Sequence, residues 1–462
     1  MTKRQCFITL GLFNLFYISA HGQAGPGADS LETACLRALD KAVTYFHSIN
    51  RHGGYVYYVT PDLSRRWGES PADEHTIEVQ PPGTPAVGFS FLRVHEVTGH
   101  TKALRAAKDA AYALIRGQND LGGWQHTIRF DRPKGKYVSF DDDQTQSAIR
   151  FLMALDQQID DDSLTLSINR ALDMMLGSQL ENGGWPHVYP RQGNYHDYAT
   201  FNDHGINDCI RVMLQAYQYY QKSEYKASLQ EAGRFLIISQ LPPPQPGWAQ
   251  QYNEHLQPAW ARSFEPPSVC SLVTLNNINT LIDLYLFSHR GEYLEPIPDA
   301  IRWLDEIRLP NGKWARFVEL YTNESLYYDR GRIRVNSTEE LHIERRRGYG
   351  YEVDLYDRLN ETKRRFIEVS ELKATTYKEK INTPLNDEEK RKKLIEMEPS
   401  VKRALKELDE QGRWVTKEDR FKKHMAGQRW NGEYETQDRI SSAVFNRNIH
   451  LLCDYIELLQ MK

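Results

Sequence analysis

The sequence predicts an all-α protein whose helical hairpins stack into a ring, an α/α toroid, with short irregular strands and a charged C-terminal insertion. The first observation is a repeated glycine-containing phrase whose copies end at Trp124, Trp185, Trp248 and Trp314. These copies follow one another at intervals of 61, 63 and 66 residues, and a weaker copy ends at Tyr55, 69 residues before the first. A period of this length accommodates two helices and a loop, which is typical of stacked helical hairpins.

The second observation is the helical spacing of apolar residues between these copies. It predicts pairs of helices over residues 87–97 and 102–115, 145–155 and 164–180, 206–220 and 225–241, and 269–287 and 297–307. The second helix of each pair runs into a glycine-containing loop, as expected at a helix C-terminus. Each pair therefore forms one hairpin.

The two ends of the chain carry helices without a neighbour in sequence. A helix near residues 30–49 has no preceding partner, and a helix near residues 440–459 has no following one. We predict that they pair and close the ring, with an open solenoid as the alternative. Residues 320–350 read as extended and loop-like, whereas the densely charged residues 355–425 predict a solvated helical insertion. Within the latter, Gly412-Arg413-Trp414 is a candidate further copy of the phrase.

Composition describes an ordinary globular protein. The 462 residues are 40% apolar and 26% charged, which provides an ample core, and the formal net charge of -4 gives no reason to expect nucleic acid as a partner. Residues 1–22 combine a basic start, an apolar run and small residues, which predicts a signal peptide ahead of a single domain over residues 23–462. We therefore expect a secreted or periplasmic monomer without membrane association after cleavage. A membrane anchor is the alternative, although the apolar run is shorter than the ~20 residues that a spanning helix needs.

The repeat provides a frame for finding a site. Asp141 lies 17 residues past Trp124, Asp203 lies 18 past Trp185, and Glu265 lies 17 past Trp248. Each precedes the first helix of the next hairpin, so all three are predicted on one rim of the ring. Helix capping would account for any one of them.

The neighbouring residues favour a metal site over capping alone. Residues 140–143 and 202–204 supply more carboxylate and amide oxygens than a helix cap requires. A hard cation such as Ca2+ takes roughly six to eight oxygen ligands, some of them from water or substrate. The rim is therefore predicted to form an open calcium site.

Arginines on the same rim indicate an anionic ligand. Arg262 stands three residues before Glu265, where it forms a salt bridge or faces a bound anion. The run Arg345-Arg346-Arg347 is either solvated or a clamp on carboxylates, since arginine binds carboxylates bidentately. The tryptophans of the phrase are most simply packing residues, although Trp185 and Trp248 are also candidate surfaces for stacking on sugars. Together these features fit an acidic sugar polymer cleaved by β-elimination.

The chain also resembles a known family. The residues that carry the resemblance lie in residues 79–88, 182–190 and 200–203 and around Arg262. With these motifs the chain resembles the pectic acid lyases of polysaccharide lyase family 10. The resemblance implies an α/α toroid that cleaves pectate (polygalacturonate) with Ca2+ by β-elimination. It also implies roles for individual residues: Asp141 and Asp203 organise metal and substrate, Arg262 is the base, and Arg347 binds substrate.

Four further residues complete the predicted substrate contacts, namely Asp142, Trp185, Tyr189 and Tyr252. Three other functions remain open from the sequence. A triterpene cyclase would share the spacing of glutamine and tryptophan in the repeated phrase, and Asp141-x-Asp143 faintly matches its acidic motif. A glycoside hydrolase of the same fold would use two rim carboxylates as acid and base. A carbohydrate-binding protein would keep the fold without catalysis.

Overall fold

The computed structural model describes residues 30–461, and the predicted signal peptide lies outside them. The predicted helical pairs are confirmed to within a few residues at each end, because the apolar spacing from which they were predicted marks the faces that the helices bury. The helices are α1 (Leu31–Ser48), α2 (Thr84–Thr98), α3 (Thr101–Gly117), α4 (Gln144–Asp156), α5 (Asp162–Ser178), α6 (Gly205–Tyr220), α7 (Ser223–Ile238), α8 (Ser271–Ser288), α9 (Ile297–Glu306), α10 (Ile343–Gly348), α11 (Tyr356–Asn382), α12 (Asp387–Glu407) and α13 (Ser442–Gln460).

The strands are short and lie in the loops between hairpins, apart from one longer antiparallel pair near the C-terminus. They are β1 (Tyr58–Val59), β2 (Arg66–Trp67), β3 (Pro71–Ala72), β4 (Thr76–Glu78), β5 (Thr127–Arg129), β6 (Val138–Ser139), β7 (Val188–Tyr189), β8 (Ala199–Thr200), β9 (Gln251–Tyr252), β10 (Val269–Cys270), β11 (Trp314–Ala315), β12 (Phe317–Val318), β13 (Tyr327–Asp329), β14 (Ile333–Val335), β15 (Glu352–Val353), β16 (Val415–Lys422) and β17 (Tyr434–Ser441). One sheet has the order β16-β17-β1-β2-β3, and the remaining strands form antiparallel pairs.

The hairpins stack side by side through their first helices. α2 packs against α4, α4 against α6, α6 against α8, and α8 against α11, while α3 and α5 pack beside one another in a second layer. This arrangement confirms the α/α toroid predicted from the repeat. The loops that carry the short strands follow the second helix of each hairpin.

The two terminal helices close the ring. α13 packs against both α1 and α2, so the C-terminal helix lies beside the N-terminal one and beside the first hairpin. At this junction the ring of Phe46 in α1 stacks on that of Phe445 in α13, with 3.9 Å between centroids. The pairing of the two ends is therefore confirmed, and an open solenoid is not the arrangement of this chain.

The tryptophans of the repeated phrase are packing residues. In four copies the indole N–H donates to a backbone carbonyl ten residues earlier, at the end of the preceding helix. These bonds join Trp124 to Leu114 at 2.8 Å, Trp185 to Met175 at 3.0 Å, Trp314 to Leu304 at 2.6 Å and Trp414 to Ala404 at 2.8 Å. The same geometry at Trp414 makes residues 412–414 a true copy of the phrase.

The glycines of the phrase allow the loop to touch the next hairpin. Gly183 has a φ of 96°, and a Cβ there would clash with the backbone carbonyl of Glu231 in α7. Gly412 stands in the same relation to Lys41 in α1. The contact at Gly412 joins the last copy of the phrase to α1 and is therefore a second contact between the two ends of the ring.

The charged segment forms α11 and α12, as predicted, but ends in strand β16 instead of helix. Although most of its side chains face solvent, Val369 and Val401 are fully buried. α11 packs against α8, and α12 packs against α13 and α1. These two helices are therefore integrated into the ring at their apolar faces.

No helix in residues 30–461 is both long enough and apolar enough to cross a membrane. Cys35, Cys209, Cys270 and Cys453 are buried free thiols.

Candidate active site

Two short helical turns of the same shape lie side by side on one rim of the ring. The turn Asp141–Asp143 precedes α4, and the turn Asn202–His204 precedes α6. Their central residues are left-handed, with φ 49° and ψ 39° at Asp142 and φ 44° and ψ 40° at Asp203. The structural equivalent of Asp203 is therefore Asp142, not Asp141, because the shared backbone conformation aligns the turns one residue away from the position counted in the sequence.

Three carboxylates meet where the turns touch. Asp141, Asp142 and Asp203 each offer an oxygen, and these oxygens lie within 4.8 Å of one another. The amide of Asn202 donates to Asp203 Oδ2 at 2.6 Å and to Asp141 Oδ1 at 3.4 Å. This amide bridges the two turns and holds the carboxylates together.

The electrostatics of this cluster suit a cation. Burial, followed by the charges of Asp203 and Asp141, raises the pKa of Asp142 to about 7. Burial also raises the pKa of Asp141, against the lowering effect of His187. The side-chain oxygen Asn202 Oδ1 is buried and accepts no hydrogen bond from the described residues. Converging carboxylates and an unsatisfied amide oxygen are the donor set that a hard divalent ion needs, so these residues fit Ca2+.

Arg262 and Glu265 form an ion pair on the same rim, with Glu265 buried and Arg262 partly exposed. Arg262 donates from Nε to Glu265 Oε2 at 2.8 Å and from Nη2 to Oε1 at 2.6 Å, and the hydroxyl of Tyr349 donates to Oε1 at 2.7 Å. Burial alone would lower the pKa of Arg262, but the hydrogen bonds and charge of Glu265 outweigh it, so the pKa is raised. Glu265 thus lies with Arg262, apart from the carboxylate cluster, and does not form a third copy of the turn.

One edge of the Arg262 guanidinium remains available. No described residue accepts a hydrogen bond from its Nη1, and 40% of the side chain is exposed. Its Cζ lies 5.1 Å from the ring centroid of Phe264 and 5.8 Å from that of Tyr349. The guanidinium is therefore held on one side by Glu265 and supported by two aromatic rings, while Nη1 remains free for a ligand.

Two further arginines complete this part of the rim: Arg316, which the sequence reasoning missed, and Arg345, which it included in the candidate clamp of residues 345–347. Arg316 lies with its Cζ 4.6 Å from the Tyr349 centroid, and Arg345 lies 5.4 Å from it. The Nε atoms of both are buried without an acceptor among the described residues. Arg316 also approaches Asp203, with 3.8 Å between Nη2 and Oδ1. Three cationic side chains therefore surround the ring of Tyr349, beside the carboxylate cluster.

The repeat already contained the signal for Arg316. It stands two residues after Trp314, and the residues two after Trp124 and Trp185 are His126 and His187, which also lie beside the site. Counting to this second offset would have found it. The signal for Arg345 was the arginine run of residues 345–347 and not the repeat, because α10 lies outside the regular repeat.

The predicted substrate-binding residues differ in their exposure to solvent. Trp185 and Tyr252 have no exposed surface, so neither can stack on a sugar, and Trp248 is buried as well. Their rings fill the space between hairpins because the phrase ends where one hairpin meets the next. Tyr189 is half-buried on β7, and Arg347 is exposed on α10. It is Arg345, two residues before Arg347, that packs against Phe264 and Tyr349.

The segment that forms this site is similar to a known protein family. A family model described as pectic acid lyase matches residues 129–313, the segment that contains both turns, Arg262 and Glu265. This segment belongs to the pectic acid lyase family. The match confirms the resemblance and the polysaccharide lyase class expected from it. Arg316 and Arg345 lie beyond the matched segment.

The chain is also similar to solved structures. A variant of the family 10 polysaccharide lyase from Cellvibrio cellulosa, in complex with trigalacturonic acid, is 18% identical with a TM-score of 0.50, over 61% of this chain and 97% of the other. The same lyase in a second structure is 18% identical with a TM-score of 0.49, over 59% of this chain and 94% of the other. No curated protein sequence matches the chain.

Proposed function

We propose that this pectic acid lyase is a secreted pectate lyase that cleaves polygalacturonate by calcium-assisted β-elimination, with Arg262 as the base. The observation that carries the proposal is the meeting of three carboxylates, within 4.8 Å of one another, with a group of arginines on one rim. Carboxylates hold a cation, and arginines hold the uronate groups of the polymer. The trigalacturonic acid bound to the similar lyase is a ligand of the same class.

Asp141, Asp142 and Asp203 would hold the cation. When bound, Ca2+ supplies a Lewis acid that withdraws electron density from the substrate carboxylate and so acidifies the adjacent C5 hydrogen. Asp142, which the sequence suggested as a substrate contact, would therefore also bind the cation, because its backbone conformation matches that of Asp203.

Arg316 and Arg345 would orient the substrate carboxylates. Each has a buried Nε without an acceptor among the described residues, and an anion in the site would supply one. Arg347 remains a candidate for a contact farther along the polymer, because it is exposed on the same short helix as Arg345. Tyr189 remains a candidate on the β7 side.

Arg262 would take the C5 proton at Nη1. The C5–H electron pair then forms the C4–C5 double bond, the C4–O bond breaks, and the leaving oxygen takes up a proton. The ion pair with Glu265 keeps Arg262 protonated in the ligand-free protein. The proposal therefore requires that binding weakens this ion pair or adds positive charge nearby, since either change lowers the pKa of Arg262.

One assay tests the proposed reaction. Purified protein is incubated with polygalacturonate and calcium while ultraviolet absorbance reports the unsaturated product, and a parallel sample contains chelator. Absorbance that rises only with calcium supports the proposal. New reducing ends without absorbance would instead indicate a hydrolase, and binding without either product would indicate a non-catalytic protein.

A further inference from the structure

A buried arginine without a partner lies far earlier in the chain than the residues of the active site. Arg66, on β2, is 8% exposed, and its Nε–H has no acceptor among the described residues. Antiparallel pairing holds its backbone between Val59 and Ala72. Burial, followed by the charge of Arg51, lowers the pKa of Arg66 to about 10, against the opposing charges of Asp73 and Glu74. A buried cation of this kind is costly unless an anion accompanies it.

Arg66 lines an open cavity of about 460 Å³. Arg51 and Arg65 line the same cavity, and the Cζ of Arg65 lies 4.7 Å from the ring centroid of Trp67. Asp73, one of the carboxylates in the lining, is already engaged by Arg129 at 2.6 Å. Glu74 also lines the cavity, and Arg65 pairs with Glu435 at 3.4 Å, so Arg51 and Arg66 are the arginines that remain to bind the carboxylate of a sugar beside the Trp67 ring.

A second basic cavity adjoins the first. It has a volume of about 310 Å³ and is lined by Arg116, Arg129, Arg132 and Lys134, with no carboxylate among its described lining residues. The ion pair between Asp73 and Arg129 joins the two cavities, since each cavity includes one of these partners.

Both cavities are separate from the catalytic rim. Neither is lined by the carboxylates of the cluster or by Arg262. Most of their lining residues precede residue 129, where the pectic acid lyase match begins. Several cationic side chains spread over two adjoining cavities match a polymer with repeated negative charge better than a single small anion.

We propose that these two cavities form a second binding site for an acidic polysaccharide, in which Arg66 and the arginines beside it bind uronate carboxylates. The choice of polysaccharide rests on the proposed function. The site would hold the polymer on the enzyme between cleavage events.

Binding measured in chelator isolates this site from the calcium-dependent one. The probes are polygalacturonate and its fully methyl-esterified form, which has the same backbone without the charge. Replacing the exposed pair with Arg132→Ala and Lys134→Ala should weaken binding of polygalacturonate about fivefold, from the loss of two solvent-exposed ionic contacts. The matched control replaces two exposed lysines of α12, Lys392→Ala and Lys393→Ala, and should bind as wild type does.

Arg66→Met tests the anchor itself, with the melting temperature as a check on folding. We expect a larger loss of binding than from the exposed pair. Should Arg66→Met unfold the protein, the exposed pair alone decides. The proposal is overturned if wild type does not bind polygalacturonate in chelator, if the esterified polymer binds equally well, or if the exposed pair binds as the α12 control does.

A comparison of two salts distinguishes binding of a polymer from binding of small anions. Sodium sulfate is compared with sodium chloride at equal ionic strength. If sulfate stabilises wild type but not Arg66→Met while polymer binding is unchanged in every variant, the cavity binds small anions and the proposal is wrong. Because no arm requires turnover, failure of the lyase assay would leave this binding result intact.

Discussion

At the scale of single residues, the site depends on how one tyrosine is surrounded. Tyr349 donates its hydroxyl to Glu265 at 2.7 Å, while Arg262, Arg316 and Arg345 lie around its ring. Burial raises the pKa of Tyr349, so it stays a neutral donor. Its ring gives the arginines a surface to pack on without neutralising them, Glu265 pairs with Arg262, and Arg345 pairs with Glu344 at 2.9 Å. Arg316, whose nearest carboxylate oxygen is 3.8 Å away on Asp203, therefore carries the least compensated positive charge of the three.

The role of Arg262 can be tested by substitution. Arg262→Ala should reduce turnover of polygalacturonate by about 10²–10⁴-fold, the usual contribution of a general base, while largely preserving polymer binding. Because the change leaves the buried Glu265 unpaired, the melting temperature is measured as well, and Arg262→Lys keeps a positive charge beside it. Arg234→Ala, on the exposed face of α7, is the control. Turnover retained with binding lost would make Arg262 a clamp and not the base.

The metal role of Asp203 makes a separate prediction. Asp203→Ala should raise the calcium concentration needed for half-maximal activity by about tenfold or more, because a carboxylate ligand is lost from the cluster. Activity is measured in calcium titrations from chelated buffer. Asp299→Ala, at an exposed position on α9, should leave the titration unchanged. An unaltered calcium requirement in Asp203→Ala would remove this residue from the metal site.

At the scale of elements, the repeated phrase makes each loop fit the next hairpin. Its tryptophan donates a hydrogen bond to a carbonyl at the end of the preceding helix, and its glycine permits contact with the helix that follows. The sequence predicted the helices well because apolar spacing is a local property. It predicted the strands of the loops poorly, since pairs such as β4 with β5 join segments about 50 residues apart and leave no local pattern.

The close contact at Gly183 predicts that an alanine there strongly destabilises the protein, whereas an alanine at Gly177 does not. Gly183→Ala should lower the free energy of unfolding by about 3 kcal/mol, because the residue has a φ of 96° and the added Cβ clashes with the backbone of α7. Gly177→Ala, six residues earlier in α5, has open space at its Cβ and should be neutral or slightly stabilising. Denaturant unfolding of both variants measures the difference. Equal stabilities would contradict the contact.

At the scale of the whole molecule, ring closure ties distant parts of the chain together. Phe445 in α13 contacts Phe46 of α1, Phe91 of α2 and Trp414 of the last repeated phrase. Because these partners come from both ends of the chain, Phe445 packs the two ends of the ring together. An open solenoid would have left the two terminal helices independent of each other.

Closure can therefore be tested from one side chain. Phe445→Ala should destabilise the protein by about 3–5 kcal/mol and should speed hydrogen exchange in α1 as well as in α13. Leu459→Ala, at an exposed position on the same helix, should do neither. Faster exchange confined to α13 would show that the two ends are not coupled.

The sequence by itself determined the hairpins, the ring and the family, because apolar spacing, repeated glycines and ordered motifs are all carried by short segments. It also placed the two aspartate turns on one rim, since the repeat assigns equal positions to equal offsets. Only the tertiary structure decided which residues meet there: it paired Asp142 with Asp203, buried Trp185 and Tyr252, bound Glu265 to Arg262, and brought Arg316 and Arg345 to Tyr349. The physical reason is that side-chain contacts between separate hairpins depend on how the hairpins pack, and offsets along one chain do not specify that packing.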